Sequence, residues 1–184
     1  MKIAFIGTHG VGKTTLAYEL CNELKKQDLD VGFIDEIARR CPFPINEATS
    51  REAQTWILAT TIARELELGN IYANIICDRS VLDNYVYLYH KFGHTPELYG
   101  LATYWVRTYD LLFRVPLTQK YLRPDGVRST DLEFQAAIDQ KLQQLLRQDR
   151  IAYYDHHDME TTVALILDYY RTHVGPWQRR IPGL

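Results

Sequence analysis

The chain has 184 residues and a formal net charge of −2, with 46% hydrophobic and 24% charged residues. This length favours one globular domain over residues 1–184, and the balanced charge argues against long nucleic acids as partners because it attracts backbone phosphates only weakly. No run approaches the roughly eighteen apolar residues of a membrane span, and the N-terminus lacks a cleavage pattern, so we expect neither a membrane segment nor a secretory signal peptide.

The cysteines indicate a reducing compartment. Cys21, Cys41 and Cys77 are odd in number and show no CxxC spacing, a pattern that predicts neither a disulfide framework nor a zinc site. We therefore expect a cytoplasmic protein. The sequence is compatible with a homodimer and carries no motif that decides the oligomeric state.

The first half of the chain alternates predicted strands and helices. The run KIAFIG predicts a first strand, and KTTLAYELCNELKKQ predicts a helix with leucines every four residues. The run DVGFIDE predicts a second strand. A capping-box pattern, Thr49 with Glu52, opens a long helix that Gly69 and Asn70 would end. The run NIICD, residues 74–78, then predicts a third strand.

The second half continues this alternation. Residues 80–93 and 97–110 predict two helices, and DLLFRVPL predicts a fourth strand. A loop around residues 118–130 is rich in polar residues, Pro and Gly. Thr130 with Glu133 predicts a capped helix, RIAYYD a fifth strand, and Asp158 the N-cap of a last helix. The predicted fold class is therefore a three-layer α/β domain, with about five parallel strands and helices on both faces.

The strongest chemical signal is GTHGVGKT, residues 7–14, which fits the pattern G-x-x-x-x-G-K-[ST] between a strand and a helix. We call this segment the phosphate loop. Glycines allow close approach of the backbone, so that successive N–H groups and the helix N-terminus can bind phosphate oxygens. The predicted ATP-binding residues are Thr8, His9, Gly10, Val11, Gly12, Lys13, Thr14 and Thr15.

Two side chains of the phosphate loop have predicted chemical roles. Lys13 supplies a cation for the β and γ phosphates of ATP, and the Thr14 hydroxyl is a ligand for Mg²⁺. His9 occupies a variable position of the pattern and has no predicted catalytic role. A GTPase is disfavoured, because the chain contains neither N-K-x-D nor D-x-x-G.

With this loop, the chain resembles the P-loop nucleoside and nucleotide kinases. CDRS, residues 77–80, looks like the D/E-R-S element of deoxynucleoside kinases and the D-R element of thymidylate kinases, and RPDGVRS looks like their lid. The segments GTHGVGKT, DEIAR, AQTWIL and CDRSVLDNYVY together are similar to small AAA-type ATP-binding proteins related to nicotinamide-riboside kinases. The resemblance implies a P-loop NTPase fold, ATP and Mg²⁺ as cofactors, and transfer of the γ phosphate to a small molecule.

The resemblance also implies site residues beyond the phosphate loop. Glu36 or Asp78 would orient the acceptor hydroxyl, and Arg79 would lie near the transferred group. Arg123 and Arg128 would close over the phosphates from the lid. Each has a plainer interpretation: Glu36 as a solvated helix start, Asp78 as a partner of Arg79 or a contact to the water shell of Mg²⁺, and the two lid arginines as a solvated loop.

The acceptor is predicted to be a nucleoside, a nucleotide or a related riboside. Arg39 and Arg40 follow Glu36, and one of them could hold an anionic acceptor, although such pairs more often face solvent. The competing hypothesis is a regulatory ATPase in which Asp35 or Asp78 serves Mg²⁺ and water, and the loops signal to a protein partner. A polynucleotide kinase is disfavoured by the missing basic excess.

Overall fold

The computed structural model describes residues 1–45, 48–118 and 131–174. Within these residues one sheet contains five parallel strands in the order β2-β3-β1-β4-β5. The strands are β1 Lys2–Ile6, β2 Val31–Ile34, β3 Asn74–Asp78, β4 Leu111–Arg114 and β5 Tyr154–Asp155. The expectation of about five parallel strands is therefore confirmed.

Helices cover both faces of the sheet, as expected from the alternating pattern. They are α1 Lys13–Lys26, α2 Arg51–Ile71, α3 Val81–Phe92, α4 Pro96–Val106, α5 Leu132–Gln148 and α6 Met159–Tyr169, with a 3-10 turn at Ile37–Arg40 and a π-helical turn at Tyr170–Val174. Among the described residues, no helix is both long and apolar enough to cross a bilayer.

Two hydrophobic layers sandwich the sheet, because successive residues of a strand point to opposite faces. Ala4 and Ile6 of β1 pack in the layer that α2, α3, α4 and α5 cover. Ile3 and Phe5 of the same strand pack in the layer under α1 and α6. The central strand β1 is thus buried on both sides, which explains its uninterrupted apolar run. Cys21, Cys41 and Cys77 are free thiols.

Both predicted capping boxes are wrong by one residue. Helix α2 begins after Ser50, whose hydroxyl accepts a hydrogen bond from the Ala53 N–H. Helix α5 begins after Asp131, whose carboxylate accepts from two backbone N–H groups; Thr130 lies outside the described residues. In each helix the residue after the predicted N-cap, Ser50 or Asp131, is also suited to capping, and its side chain accepts the capping hydrogen bond.

The predicted end of α2 at Gly69 and Asn70 is also too early, since the helix continues to Ile71. Tyr72 stops it instead, and its ring lies against Gly32 of β2, where an added Cβ would come within 2.4 Å of the ring. Tertiary packing thus overrides the local stop signal. Strand β5 is likewise shorter than the predicted run: it covers only Tyr154–Asp155.

Candidate functional site

The predicted site residues meet at one edge of the sheet, where the carboxyl ends of the parallel strands lie. The phosphate loop follows β1, Glu36 comes two residues after β2, and Asp78 and Arg79 stand at the end of β3. Because β3 lies between β1 and β2, these groups become neighbours. In open parallel sheets this edge is where ligands bind.

The phosphate loop has the backbone geometry of an anion cradle. Gly7 and Gly12 adopt φ values of 146° and 96°, which residues with side chains rarely adopt. A Cβ on Gly7 would also come within 2.8 Å of the Val115 carbonyl oxygen. Gly12 directly precedes the fourteen-residue helix α1, so the positive end of that helix and its free N–H groups face the loop.

Lys13 lies inside the phosphate loop and is only 4% exposed. Its ammonium group donates a 2.5 Å hydrogen bond to the carbonyl oxygen of Thr8. Burial above all, and then the nearby Arg79, lower the pKa of Lys13 to about 7. A negatively charged ligand at this position would favour the protonated form, so the loop is electrostatically prepared for an anion.

Thr14 and Asp78 bring two oxygen donors together beside the phosphate loop. The Thr14 hydroxyl donates a 2.6 Å hydrogen bond to the Asp78 carboxylate, and burial raises the pKa of Asp78. Hard oxygen atoms of this kind are the ligands that Mg²⁺ takes together with phosphates and water. Asp78 therefore turns toward the phosphate loop, whereas its neighbour Arg79 turns away to Glu36.

Glu36 and Arg79 form a buried ion pair. Arg79 Nε donates to Glu36 Oε1 over 2.8 Å, with both side chains 9% exposed, and Arg39 Nε reaches the other carboxylate oxygen at 3.0 Å. Burial alone would raise the pKa of Glu36, but Arg79, Lys13 and Arg39 lower it to about 2. Glu36 is thus a buried group that is ionised at neutral pH. It does stand at the start of the 3-10 turn, as the plainer interpretation expected, but it is not solvated there.

Arg79 is held in an unusual conformation. Its φ of 106° is costly for a residue with a side chain and persists only where the surroundings impose it, most often at functional sites. Its guanidinium lies 5.6 Å from the Tyr87 ring. The buried Nη1 atom has no hydrogen-bond acceptor within the described part of the chain. Arg79 therefore keeps donor capacity for a ligand.

A cleft lies beside this pair. Glu36, Arg39 and Arg79 are its charged lining residues, while Ala38, Ile45 and Ile57 supply apolar surface. Its uncharged polar lining residues are His9, Gln54, Asn84 and Tyr87. A concave site that combines apolar surface with convergent polar groups suits a small molecule.

The remaining predicted residues take different places. His9 is buried, with Nδ1 3.0 Å from the Tyr87 hydroxyl, so its ring faces the cleft and only its backbone belongs to the cradle. Thr15 is exposed in the first turn of α1. Arg123 and Arg128 lie outside the described residues, as does most of the predicted lid.

Two residues that the sequence prediction missed shape the phosphate loop. Asp83 accepts hydrogen bonds from the Gly7 N–H at 2.8 Å and from Ser80, with which it forms a capping box. Gln135 donates to the His9 carbonyl oxygen at 2.8 Å. The S-x-x-D spacing of Ser80 and Asp83 is a capping signal that could have been noticed; nothing in the sequence points to Gln135.

Replacing Asp83 by Ala should loosen the phosphate loop. The change leaves buried N–H groups of Gly7 and Ser80 without their acceptor, and each such loss costs about 1–3 kcal/mol. We expect the free energy of unfolding to fall by about 3 kcal/mol and nucleotide affinity to fall with it. Urea unfolding and nucleotide titration measure the two effects. Asp83→Asn keeps one acceptor oxygen and should lose less; an equal loss would contradict this role.

The ionisation of Glu36 should make the fold sensitive to acid. Its folded-state pKa of about 2 lies below the ordinary value of 4.5, so the unfolded chain binds the proton more readily. The ionised carboxylate therefore stabilises the fold fully at pH values above its ordinary pKa, and this stabilisation is lost as pH falls toward 2. At about 1.36 kcal/mol per pKa unit it amounts to ~3 kcal/mol. Urea unfolding from pH 7 to pH 2.5 should show this loss, and Glu36→Gln should flatten it.

Comparisons with known proteins agree with this fold. A family model described as an AAA domain matches residues 2–161. No curated protein sequence is significantly similar to the chain.

Solved structures of kinases are similar in fold. A deoxyadenosine kinase from M. mycoides with dATP bound is 18% identical, with a TM-score of 0.63, covering 94% of this chain and 100% of that one. Its complex with the products dCMP and dCDP gives 16% identity and a TM-score of 0.64 at the same coverage. A thymidylate kinase from Ehrlichia chaffeensis gives 17% identity and a TM-score of 0.68, covering 91% and 98%.

Proposed function

Because the chain belongs to the AAA-domain family whose model it matches, and has the fold of the P-loop nucleoside and nucleotide kinases, we propose that it is an ATP-dependent phosphotransferase. The γ phosphate of ATP goes to a small-molecule acceptor, which is a nucleoside, a nucleotide or a related riboside. The carrying observation is the buried Glu36–Arg79 pair, which lines a cleft that His9 of the phosphate loop also lines.

The two acidic residues take separate roles in this proposal. Glu36 lines the cleft, whereas Asp78 is bonded to Thr14 beside the phosphate loop. Glu36 therefore orients the acceptor hydroxyl. With a pKa of about 2 it is a weak base, but phosphoryl transfer through a loose transition state depends mainly on positioning and charge stabilisation.

In the proposed reaction, cationic side chains surround the phosphates of ATP. Lys13 and the N–H groups of the phosphate loop hold the β and γ phosphates, and Arg79 stabilises the charge on the group in transfer. Thr14 and Asp78 would hold Mg²⁺, which neutralises phosphate charge when bound. Arg123 and Arg128 are proposed to close over the phosphates and exclude water.

The names of the similar structures support this proposal. They are a deoxyadenosine kinase with dATP or with dCMP and dCDP bound, and a thymidylate kinase. These proteins act on nucleosides or nucleotides, which fits the predicted acceptor class. We propose further that the chain works as a single domain in the cytoplasm, with small molecules as partners and without a membrane or a long nucleic acid.

A regulatory ATPase is the second candidate. Thr14 and Asp78, which are joined by a hydrogen bond, would hold Mg²⁺ equally well if water received the γ phosphate. Asp35, the other acidic residue considered for this role, is paired at 2.6 Å with Arg40 in an exposed ion pair, which makes it the weaker choice.

The deciding experiment measures ADP production from Mg-ATP by the purified protein. The protein is incubated alone and with nucleosides, nucleoside monophosphates and nicotinamide riboside, and products are identified by mass spectrometry. We expect one acceptor to stimulate ADP production and to appear as its phosphorylated product. ADP production at the same rate with and without every acceptor would contradict the kinase proposal and support the regulatory ATPase.

A further inference from the structure

We infer that Asn84 selects the acceptor: its side-chain oxygen accepts a hydrogen bond from an amino or hydroxyl group of the acceptor, and Thr61 fixes the amide in the orientation that allows this. The inference rests on the proposed function, since it concerns the acceptor of the same site. The basis is the place of Asn84 on the wall of the cleft and its buried hydrogen bond to Thr61. The group meant is not the hydroxyl that receives the phosphate, because Glu36 orients that one.

Asn84 lies on α3 where this helix packs against α2. Its side chain is one of the uncharged polar groups that line the cleft, and the residue is only 6% exposed. The amide nitrogen donates a 3.0 Å hydrogen bond to the hydroxyl of Thr61 on α2. Thr61 is not among the described lining residues of the cleft and borders a smaller pocket together with Asn84. The nitrogen is thus directed away from the cleft, and the oxygen, which diverges from it in the planar amide, faces the cleft.

A second hydrogen bond decides which end of the amide meets Thr61. The Thr61 hydroxyl donates its only hydrogen to the Ile57 carbonyl oxygen at 2.8 Å, so toward Asn84 it can only accept. If the amide were turned over, the Asn84 oxygen would face the hydroxyl oxygen without a hydrogen between them. Both hydrogen bonds are buried, where an unpaired polar group is costly. The orientation of Asn84 therefore follows from the contact between α2 and α3.

The Asn84 oxygen is left for a ligand. It has no hydrogen-bond partner within the described part of the chain, and it is not one of the fully buried polar atoms that lack a partner there. It is therefore accessible. An amide oxygen only accepts hydrogen bonds, so the ligand group that meets it must be a donor, as amino and hydroxyl groups are. A ligand without a donor at this place leaves the oxygen unpaired and is rejected.

Gln54, the other amide of the cleft, is not fixed in this way. Its nitrogen donates to the Thr49 hydroxyl at 2.8 Å, and this hydroxyl has no second partner among the residues that the structure describes. The Thr49 hydrogen could equally be donated to the Gln54 oxygen, so the contact is compatible with both orientations of the amide. Gln54 can therefore adapt to a donor or an acceptor, whereas Asn84 discriminates between them.

The test compares acceptors that differ in a single donor group. Adenosine and purine riboside differ by one ring amino group, as do guanosine and inosine, and cytidine and pyrimidin-2-one riboside. The 2′- and 3′-deoxy analogues each lack one sugar hydroxyl. The kcat/KM for phosphorylation is measured for each pair, as nucleosides and as 5′-monophosphates. Equilibrium binding of the same pairs is measured by calorimetry with the donor site saturated by a non-hydrolysable ATP analogue.

The variants change the orientation of Asn84 without touching the ligand. Thr61→Val is nearly isosteric but has no hydroxyl, so the Asn84 amide becomes free to turn over. Thr61→Ser keeps the hydroxyl and with it the orientation. Thr103→Val is a matched control on α4, because Thr103 also donates to the carbonyl oxygen four residues earlier, that of Tyr99 at 2.8 Å, and is not among the described lining residues of the cleft.

We expect one donor group to be required in the wild type. Its removal should lower kcat/KM and affinity on the order of 10- to 100-fold, the effect of leaving a buried acceptor atom unpaired. The ratio within that pair should persist in Thr61→Ser and in Thr103→Val and should shrink toward one in Thr61→Val. The pair that shows the effect identifies the donor as an amino group of the base or a hydroxyl of the sugar.

A donor requirement of the same size in Thr61→Val and in the wild type would overturn the inference while the kinase activity stands, as would equal values within every pair. Thermal unfolding shows whether Thr61→Val is folded. If it is not, Asn84→Ala gives the same test, because it removes the accepting oxygen and should also shrink the ratio.

If no acceptor is phosphorylated, the proposed function fails instead, and the binding measurements decide the inference separately. A preference for the donor-bearing member of a pair that disappears in Thr61→Val would still support the role of Asn84. Equal binding within every pair, or no binding, would remove it.

Discussion

Replacing Lys13 by Ala is expected to reduce ATP turnover on the order of 10² to 10³-fold, the effect of removing one group that stabilises transition-state charge, while the protein stays folded. Lys13 is buried within the loop, and burial lowers its pKa to about 7. Keeping this buried ammonium group charged therefore costs free energy when no anionic ligand is bound. Its removal should change the free energy of unfolding only slightly. ADP production and thermal unfolding are measured side by side.

Lys26→Ala is the matched control for this change. Lys26 stands at the other end of α1, with its side chain 57% exposed and paired only with the nearby Glu23 among the described residues. The Lys26→Ala variant should have the ATP turnover and the unfolding temperature of the wild type. Normal turnover in folded Lys13→Ala protein would contradict the assignment of the nucleotide site.

The phosphate loop was predictable because its chemistry depends on contiguous residues. The spacing of Gly7, Gly12, Lys13 and Thr14 is fixed by the loop itself, and the structure gives the two glycines the positive φ that the pattern requires. The parallel sheet was predictable for a similar reason, since each apolar run could be assigned without knowledge of its neighbours. Local patterns thus account for the fold and for the geometry of the phosphate loop.

The proposed acceptor side depends on strand order, which no local pattern gives. Glu36 and Arg79 are separated by 43 positions and meet because β2 pairs with β3. The contacts of Gly7 with Asp83 and of His9 with Gln135 span 76 and 126 positions. The sequence therefore indicated which charged residues end the strands, but left open which of them pair.

Arg79→Ala is expected to have the second large effect, on both stability and transfer. It removes the buried guanidinium that donates to the carboxylate of Glu36, whose side chain is only 9% exposed. Removal of one partner from a buried ion pair costs about 3–5 kcal/mol, so urea unfolding should show a loss of this size. We also expect kcat/KM for the acceptor to fall far more than the affinity for ATP, because the lost guanidinium lines the cleft.

The double variant Glu36→Gln, Arg79→Ala separates the two effects. Without a buried charge on either side, it should recover much of the stability that Arg79→Ala loses. It should not recover transfer, since both the orienting carboxylate and the cation near the transferred group are missing. Recovery of both transfer and stability in the double variant would mean that the pair only supports the fold. Equal losses of transfer and ATP affinity in Arg79→Ala would place Arg79 on the donor side. The strained φ of 106° at Arg79 favours a role at the site, because a residue needed only for packing could be held without that strain.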